Sequence, residues 1–141
     1  METVFVYTRI AQYHETDQMG IIHHANYVKW MEEARVAFLD EIGWSYKRIE
    51  EEGIVSPVAG ISLEYKKPVE FSDQVEIRLS ISNYSGTVLE LGYDFFNVTK
   101  GEICTNGSSR HAFMKDGRIT SLKRVLPEMD EILRARPIGG I

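Results

Sequence analysis

Tyr13-His-Glu-Thr-Asp17-Gln-Met-Gly20-Ile-Ile-His23-His24-Ala-Asn-Tyr27-Val28 is the stretch in which this chain changes character. Before it, residues 3–13 alternate as a strand does. Val4, Val6, Thr8 and Ile10 fall on one face, and Phe5, Tyr7 and Ala11 on the other. After it, from about Ala25 to Ile42, the period is helical. Tyr27, Trp30, Met31, Ala34, Phe38 and Ile42 share one wide stripe, while Lys29, Glu32, Glu33, Val36 and Asp40 cover the far side. Between the two lie an acid and a glycine in a non-helical turn, just ahead of the helix. A helix start leaves backbone N–H groups unpaired, and these can hold a developing negative charge. A carboxylate a few residues upstream can face whatever binds there. The pattern is half of an acyl-transfer site.

Working outward, Gly43 stops the helix at C′, and Ser45 caps a short second helix that ends at Gly53. The chain then turns to β character. Val55 to Tyr65 alternates through Pro57, Ala59, Ile61 and Leu63 until Lys66-Lys67-Pro68 ends the strand. Val75, Ile77, Leu79 and Ile81 line a second strand, and Leu89, Leu91, Tyr93 and Phe95 a third. Turns fall at Asn83–Gly86 and Asn97–Gly101. Ile103 to Met114 reads as a last strand, small and polar through Thr105-Asn-Gly-Ser-Ser109. Pro127 opens a terminal helix through Leu133, and Arg136-Pro-Ile-Gly-Gly-Ile reads as a frayed end. One strand, a long helix, a short helix and four strands predict an α+β fold with an antiparallel sheet against one helix. A single helix cannot cover such a sheet. A homo-oligomer is therefore expected, burying edges and apolar surface between copies.

The whole chain, residues 1–141, reads as a single domain, 43% hydrophobic and 26% charged. No apolar run reaches the roughly 18 residues of a membrane helix, and no signal peptide is evident at the start. Cys104 is the sole cysteine, which excludes an internal disulfide and suits a reducing cytoplasm. A net charge of −5 argues against a nucleic-acid partner. An anionic ligand would need a local cluster of cations.

The opening run, followed by Trp30-Met-Glu-Glu-Ala-Arg35, resembles the signature of 4-hydroxybenzoyl-CoA thioesterase-like proteins. It is closest to their bacterial acyl-CoA thioesterase branch, which includes the cytoplasmic enzyme associated with the Tol-Pal envelope system. Leu63-Glu-Tyr65-Lys-Lys-Pro68 with Phe71 and Asp73, and a strand ending in His111-Ala-Phe-Met, recur in the expected places. The likeness covers essentially the whole chain. It implies a hotdog fold, an antiparallel sheet of about five strands wrapped around a long central helix. It also implies subunits that join sheets edge to edge as dimers and pair again as tetramers. The implied substrate is an acyl-CoA held at the subunit interface, with no cofactor. The acid matching Asp17 is essential as nucleophile or general base, and the N–H at His24 binds the thioester oxygen.

Elementary chemistry agrees with that assignment. Thioester hydrolysis needs an oxyanion stabiliser and a group that becomes or delivers the nucleophile. Gly20 lets the backbone turn tightly beside a ligand. The His24 imidazole can position water or thioester or assist proton transfer to the leaving thiolate, His23 reads as structural, and Thr16 as a local turn-former. Tyr27 belongs to the core stripe, with its hydroxyl reaching toward the site. Adjacent on a helix, His23 and His24 would point about 100° apart, and His14 and His111 lack ligand spacing, so no metal is expected. Cys104 reads as a small buried hydrophobe. Ser108-Ser109 lacks the elbow of a serine hydrolase. For the phosphates of CoA the candidate cations are Lys66, Lys67 and Arg110, with Lys115 and Arg118 beyond them. Two competing readings are a hydratase or dehydratase acting on acyl thioesters through the Asp–His pair, and a non-catalytic acyl-CoA-binding protein.

Overall fold

In the computed structural model, which describes residues 2–137, the opening alternation becomes β1 (Phe5–Ile10), with Phe5, Tyr7 and Arg9 turned inward. Ile138 to Ile141, most of the segment read as frayed, lie outside the described residues. A single 3-10 turn at Tyr13–Glu15 breaks the strand. The long helix, α1 (Ala25–Glu41), buries Tyr27, Trp30, Met31, Ala34, Phe38 and Leu39, close to the expected stripe. Arg35 is buried with them; it pairs with Glu32 at 3.1 Å and lies over the Tyr46 ring. Gly43, at φ 86°, takes the left-handed conformation that ends the helix. In α2 (Tyr46–Glu51) the Ser45 hydroxyl accepts from the Arg48 N–H at 3.1 Å, as its cap position requires.

The strand expected from Val55 to Tyr65 is two strands, β2 (Ile54–Val55) and β3 (Val58–Tyr65). Pro57 has no N–H to give to a ladder, and the chain changes sheets there. The rest of the meander is β4 (Gln74–Tyr84), β5 (Val88–Asn97) and β6 (Glu102–Ala112). Met114 does not extend β6. It opens β7 (Met114–Lys115), which with β8 (Arg118–Ile119) and β2 makes a small second sheet. After α3 (Leu122–Val125), which the sequence did not announce, Pro127 begins α4 (Pro127–Arg134).

The main sheet has five antiparallel strands in the order β1-β4-β5-β6-β3. Its inner face is lined by Val75, Ile77, Leu79 and Ile81 of β4 and by Leu89, Leu91, Tyr93 and Phe95 of β5, all buried. Each such side chain contributes roughly 1.5–3 kcal/mol when removed from water. α1 lies along this face, with Phe38 against Phe5 and Tyr27 against Phe95 at ring-centroid distances of 5.9 and 5.7 Å. Among the described residues no helix is long and apolar enough to cross a membrane.

Among the described residues two strands of this sheet, β1 and β3, are left with open edges. β3 exposes three large apolar side chains, Val58, Ile61 and Tyr65, at 42, 44 and 47%, against two on β1, Val6 and Ile10, at 45 and 51%. The last residue of β3 stands beside the start of α1, so the sheet edge and the helix N-terminus share one corner of the molecule.

Candidate active site

The turn ahead of α1 is closed by its own backbone. The Asp17 N–H donates to the Ile21 carbonyl at 2.9 Å, and the Gly20 N–H to the Asp17 carbonyl at 3.0 Å. Gly20 sits at φ 79°, a conformation that a residue with a Cβ adopts only under strain. One Asp17 oxygen, Oδ1, accepts from the Met19 N–H at 2.8 Å. The other has no partner among the described residues. Asp17 is thus both the turn acid and a carboxylate with a free oxygen. Thr16 plays the local part expected of it, its hydroxyl donating to the Tyr13 carbonyl at 2.8 Å.

Four of the five N–H groups of residues 23–27 are used. His23 donates to the Glu15 carbonyl at 2.9 Å, Ala25 to His23 Nδ1 at 3.1 Å, Asn26 to the His23 carbonyl at 3.0 Å and Tyr27 to the His24 carbonyl at 3.3 Å. Only the His24 N–H has no acceptor among the described residues. The ring of His23 therefore works structurally, as a cap on the first helical N–H. Because both histidines precede α1, the expectation from helical spacing is corrected: their rings stack, 4.2 Å between centroids and 27° apart.

Asp17 and His24 stand on one cleft of about 380 Å³, together with Tyr27, Tyr65, Lys66 and Lys67. Met19, Ile21, Ile22 and Pro68 supply its apolar wall. Gly20 shapes the turn without lining the cleft. Tyr27 is buried between Trp30, Tyr65 and Phe95, and burial raises its hydroxyl well above the ordinary tyrosine range. Cys104 is buried as expected, and burial pushes its thiol up to about 11.

Arg110 is not brought to this cleft. Its neighbours Ser109 and His111 are buried inside, so on a strand Arg110 must point outward. It lies in a different cleft with Gly60, Ser62 and Glu90, where its Nη2 donates to the Ala59 carbonyl at 3.2 Å. Lys115 and Arg118 line a third, with Thr120 and Arg124.

Two residues of this corner escaped sequence reasoning as parts of the site. Tyr65 reaches across from β3, its hydroxyl donating to the His24 carbonyl at 3.0 Å. The last aromatic of an alternating strand, next to two lysines, was the available signal. Glu15 is only 5% exposed although it sits in a turn. Its carboxylate accepts from Arg9 Nη2, from Trp30 Nε1 and from the Gln12 N–H, each at 2.8 Å.

An antiparallel sheet of five strands packed on one long helix is the hotdog arrangement. The chain belongs to the Thioesterase-like superfamily, whose sequence profile matches residues 11–136. It is similar to the putative acyl-CoA thioesterase YneP of Bacillus subtilis, 39% identical over 100 residues, which are 71% of this chain and 72% of that protein. A putative esterase of Aquifex aeolicus is 32% identical over 126 residues, 89% of this chain and 96% of its own. Among solved structures, the DHNA-CoA thioesterase of Staphylococcus aureus superposes with a TM-score of 0.87 and 34% identity, covering 92% of this chain and 87% of that one.

Proposed function

We propose that this protein is an acyl-CoA thioesterase in which Asp17 and the His24 N–H act on the two sides of one thioester carbonyl. The observation that carries this reading is their shared cleft, with one carboxylate oxygen and one helix-start N–H free of other partners among the described residues. As the carbonyl carbon is attacked, its oxygen gains negative charge, and the His24 N–H at the helix start can hold it. A single donor of this kind lowers the barrier by about 3 kcal/mol.

Two routes lead from there to free acid and CoA. In one, an Asp17 oxygen bonds to the carbonyl carbon, the C–S bond breaks, and water then hydrolyses the mixed anhydride. In the other, Asp17 takes a proton from water while the water oxygen attacks, and the thiolate leaves and is protonated. A covalent acyl adduct in the mass spectrum of acid-quenched enzyme separates them, since only the first route forms one.

The remaining parts of the proposal follow from the same corner. Lys66 and Lys67 are the cations available to CoA phosphates, Tyr27 belongs to the acyl-binding wall, and Gly20 serves substrate binding indirectly, through the turn that presents Asp17. The His24 imidazole assists by ordering water or thioester. The open, apolar edge of β3 suits pairing with a second copy of this single-domain chain, as dimer or tetramer. A lone cysteine without a disulfide suits the cytoplasm.

Release of free thiol from a panel of aliphatic and aromatic acyl-CoAs tests the reading. The wild type is expected to release thiol, and Asp17→Asn to be slowed at least about 100-fold. Inactivity of the wild type across the panel, or an Asp17→Asn variant of undiminished rate, would overturn it. A hydratase would instead consume an unsaturated acyl-CoA without releasing thiol.

A further inference from the structure

Resting on that reading, we propose that Glu15 is a positioning residue for the reaction. It holds the Asp17 turn and the helix start at the spacing the carbonyl requires. Glu15 does not line the cleft, and its carboxylate oxygens are occupied by three donors, so it acts only through other groups.

The argument begins with where its ties lead. Arg9 belongs to β1, Trp30 to α1 and Gln12 to the turn, so one carboxylate joins three elements. The backbone carbonyl of the same residue accepts from the His23 N–H at 2.9 Å and from Asn26 Nδ2 at 2.8 Å. Two residues after Glu15 stands Asp17, and one residue after His23 stands His24. Both arms of the proposed site therefore start from a single buried residue.

The anchor is itself held on every side. Arg9 bonds through its other terminal nitrogen to Glu33 and lies 4.9 Å over the Trp30 ring. The Tyr7 hydroxyl donates to the same Glu33 oxygen at 2.9 Å. This cage shares no residue with the cleft, yet it fixes where the two free groups point. Groups that act together on one carbon lose about 100-fold in rate when displaced by about 1 Å.

Glutamine at this position would keep the volume and one acceptor oxygen. Arg9 and Trp30 share Oε2 and the Gln12 N–H has Oε1, so an amide nitrogen would face one or two N–H donors and leave at least one of the three bonds unmade. In folded Glu15→Gln, kcat for the best acyl-CoA is expected to fall about 10–100-fold, while KM changes less than about threefold. Trp30→Phe, which removes one donor and keeps most of the packing, should show the same split more weakly, and it carries the test if Glu15→Gln does not fold. Unchanged kcat in a folded variant, or a loss carried by KM, overturns the proposal. Amide hydrogen exchange gives a readout that needs no activity. The Asp17 and His23 N–H groups should exchange at least about tenfold faster in Glu15→Gln than in wild type, with the middle of α1 unchanged. Equal rates overturn the positioning role. A wild type that releases no thiol, with exchange still altered, faults the thioesterase reading and leaves the anchor standing.

Discussion

In the proposed reaction the backbone and the ring of His24 have different tasks, and substitution can part them. His24→Ala removes the imidazole and keeps the N–H. His24→Pro removes both, and the φ of −55° at this position is one that proline adopts without strain. Steady-state kinetics should place His24→Pro about 100-fold below His24→Ala in kcat; equal rates would mean that the N–H does not hold the oxyanion. Much at this scale was readable beforehand. Asp17, His24 and Tyr27 follow one another closely in sequence, and Lys66 and Lys67 end a strand that returns to the same corner. That Arg110 lies apart from this cleft was not legible, because the small polar run Thr105–Ser109 carries no hydrophobic alternation from which to read the strand's parity. Glu15 was invisible for another reason. Its partners Arg9 and Trp30 are 6 and 15 residues away, and an acid in a turn ordinarily faces water.

Among the strands, β6 carries a buried polar chain whose energetics depend on pH. The Tyr93 hydroxyl on β5 meets the Ser109 hydroxyl at 2.7 Å, and that oxygen meets His111 Nε2 at 2.6 Å. Burial, aided by the Arg35 charge, pushes His111 down to about 3 from an ordinary 6.5. Between those values the unfolded chain binds the proton that the folded chain refuses, so stability falls as pH falls from about 6.5. The slope is at most about 1.4 kcal/mol per pH unit for this group. Urea midpoints measured at neutral pH and near pH 5 should drop on acidification in the wild type and drop less in His111→Gln. An equal drop in both would acquit His111. Elements of this length were legible, since α1, β4 and β5 repeat their periods several times. The two-residue strands β2, β7 and β8 hold no period at all, and only Pro57 marked the place where the chain changes sheets.

For the whole molecule the deciding feature is the open side of the five-stranded sheet. That one helix would leave surface to cover followed from the order of elements. That β3 is an edge did not, because edges are set by pairing order, and non-adjacent strands such as β3 and β6 pair without local signal. Ile61 is 44% exposed in the middle of that edge. Light scattering on a sizing column should find the wild type as a dimer or larger and Ile61→Lys shifted toward monomer, because a buried unpaired ammonium opposes association. A monomeric wild type would end the oligomer proposal.

Cys104 has a practical consequence at this scale. Thiol-reactive dyes attack the thiolate, and the chain's only sulfhydryl is buried, with burial pushing it up to about 11. In native protein at neutral pH such a dye therefore colours with released coenzyme and scarcely with the enzyme itself. Once the chain unfolds, the same sulfur is exposed, so one reagent counts turnover in one cuvette and denatured molecules in the next.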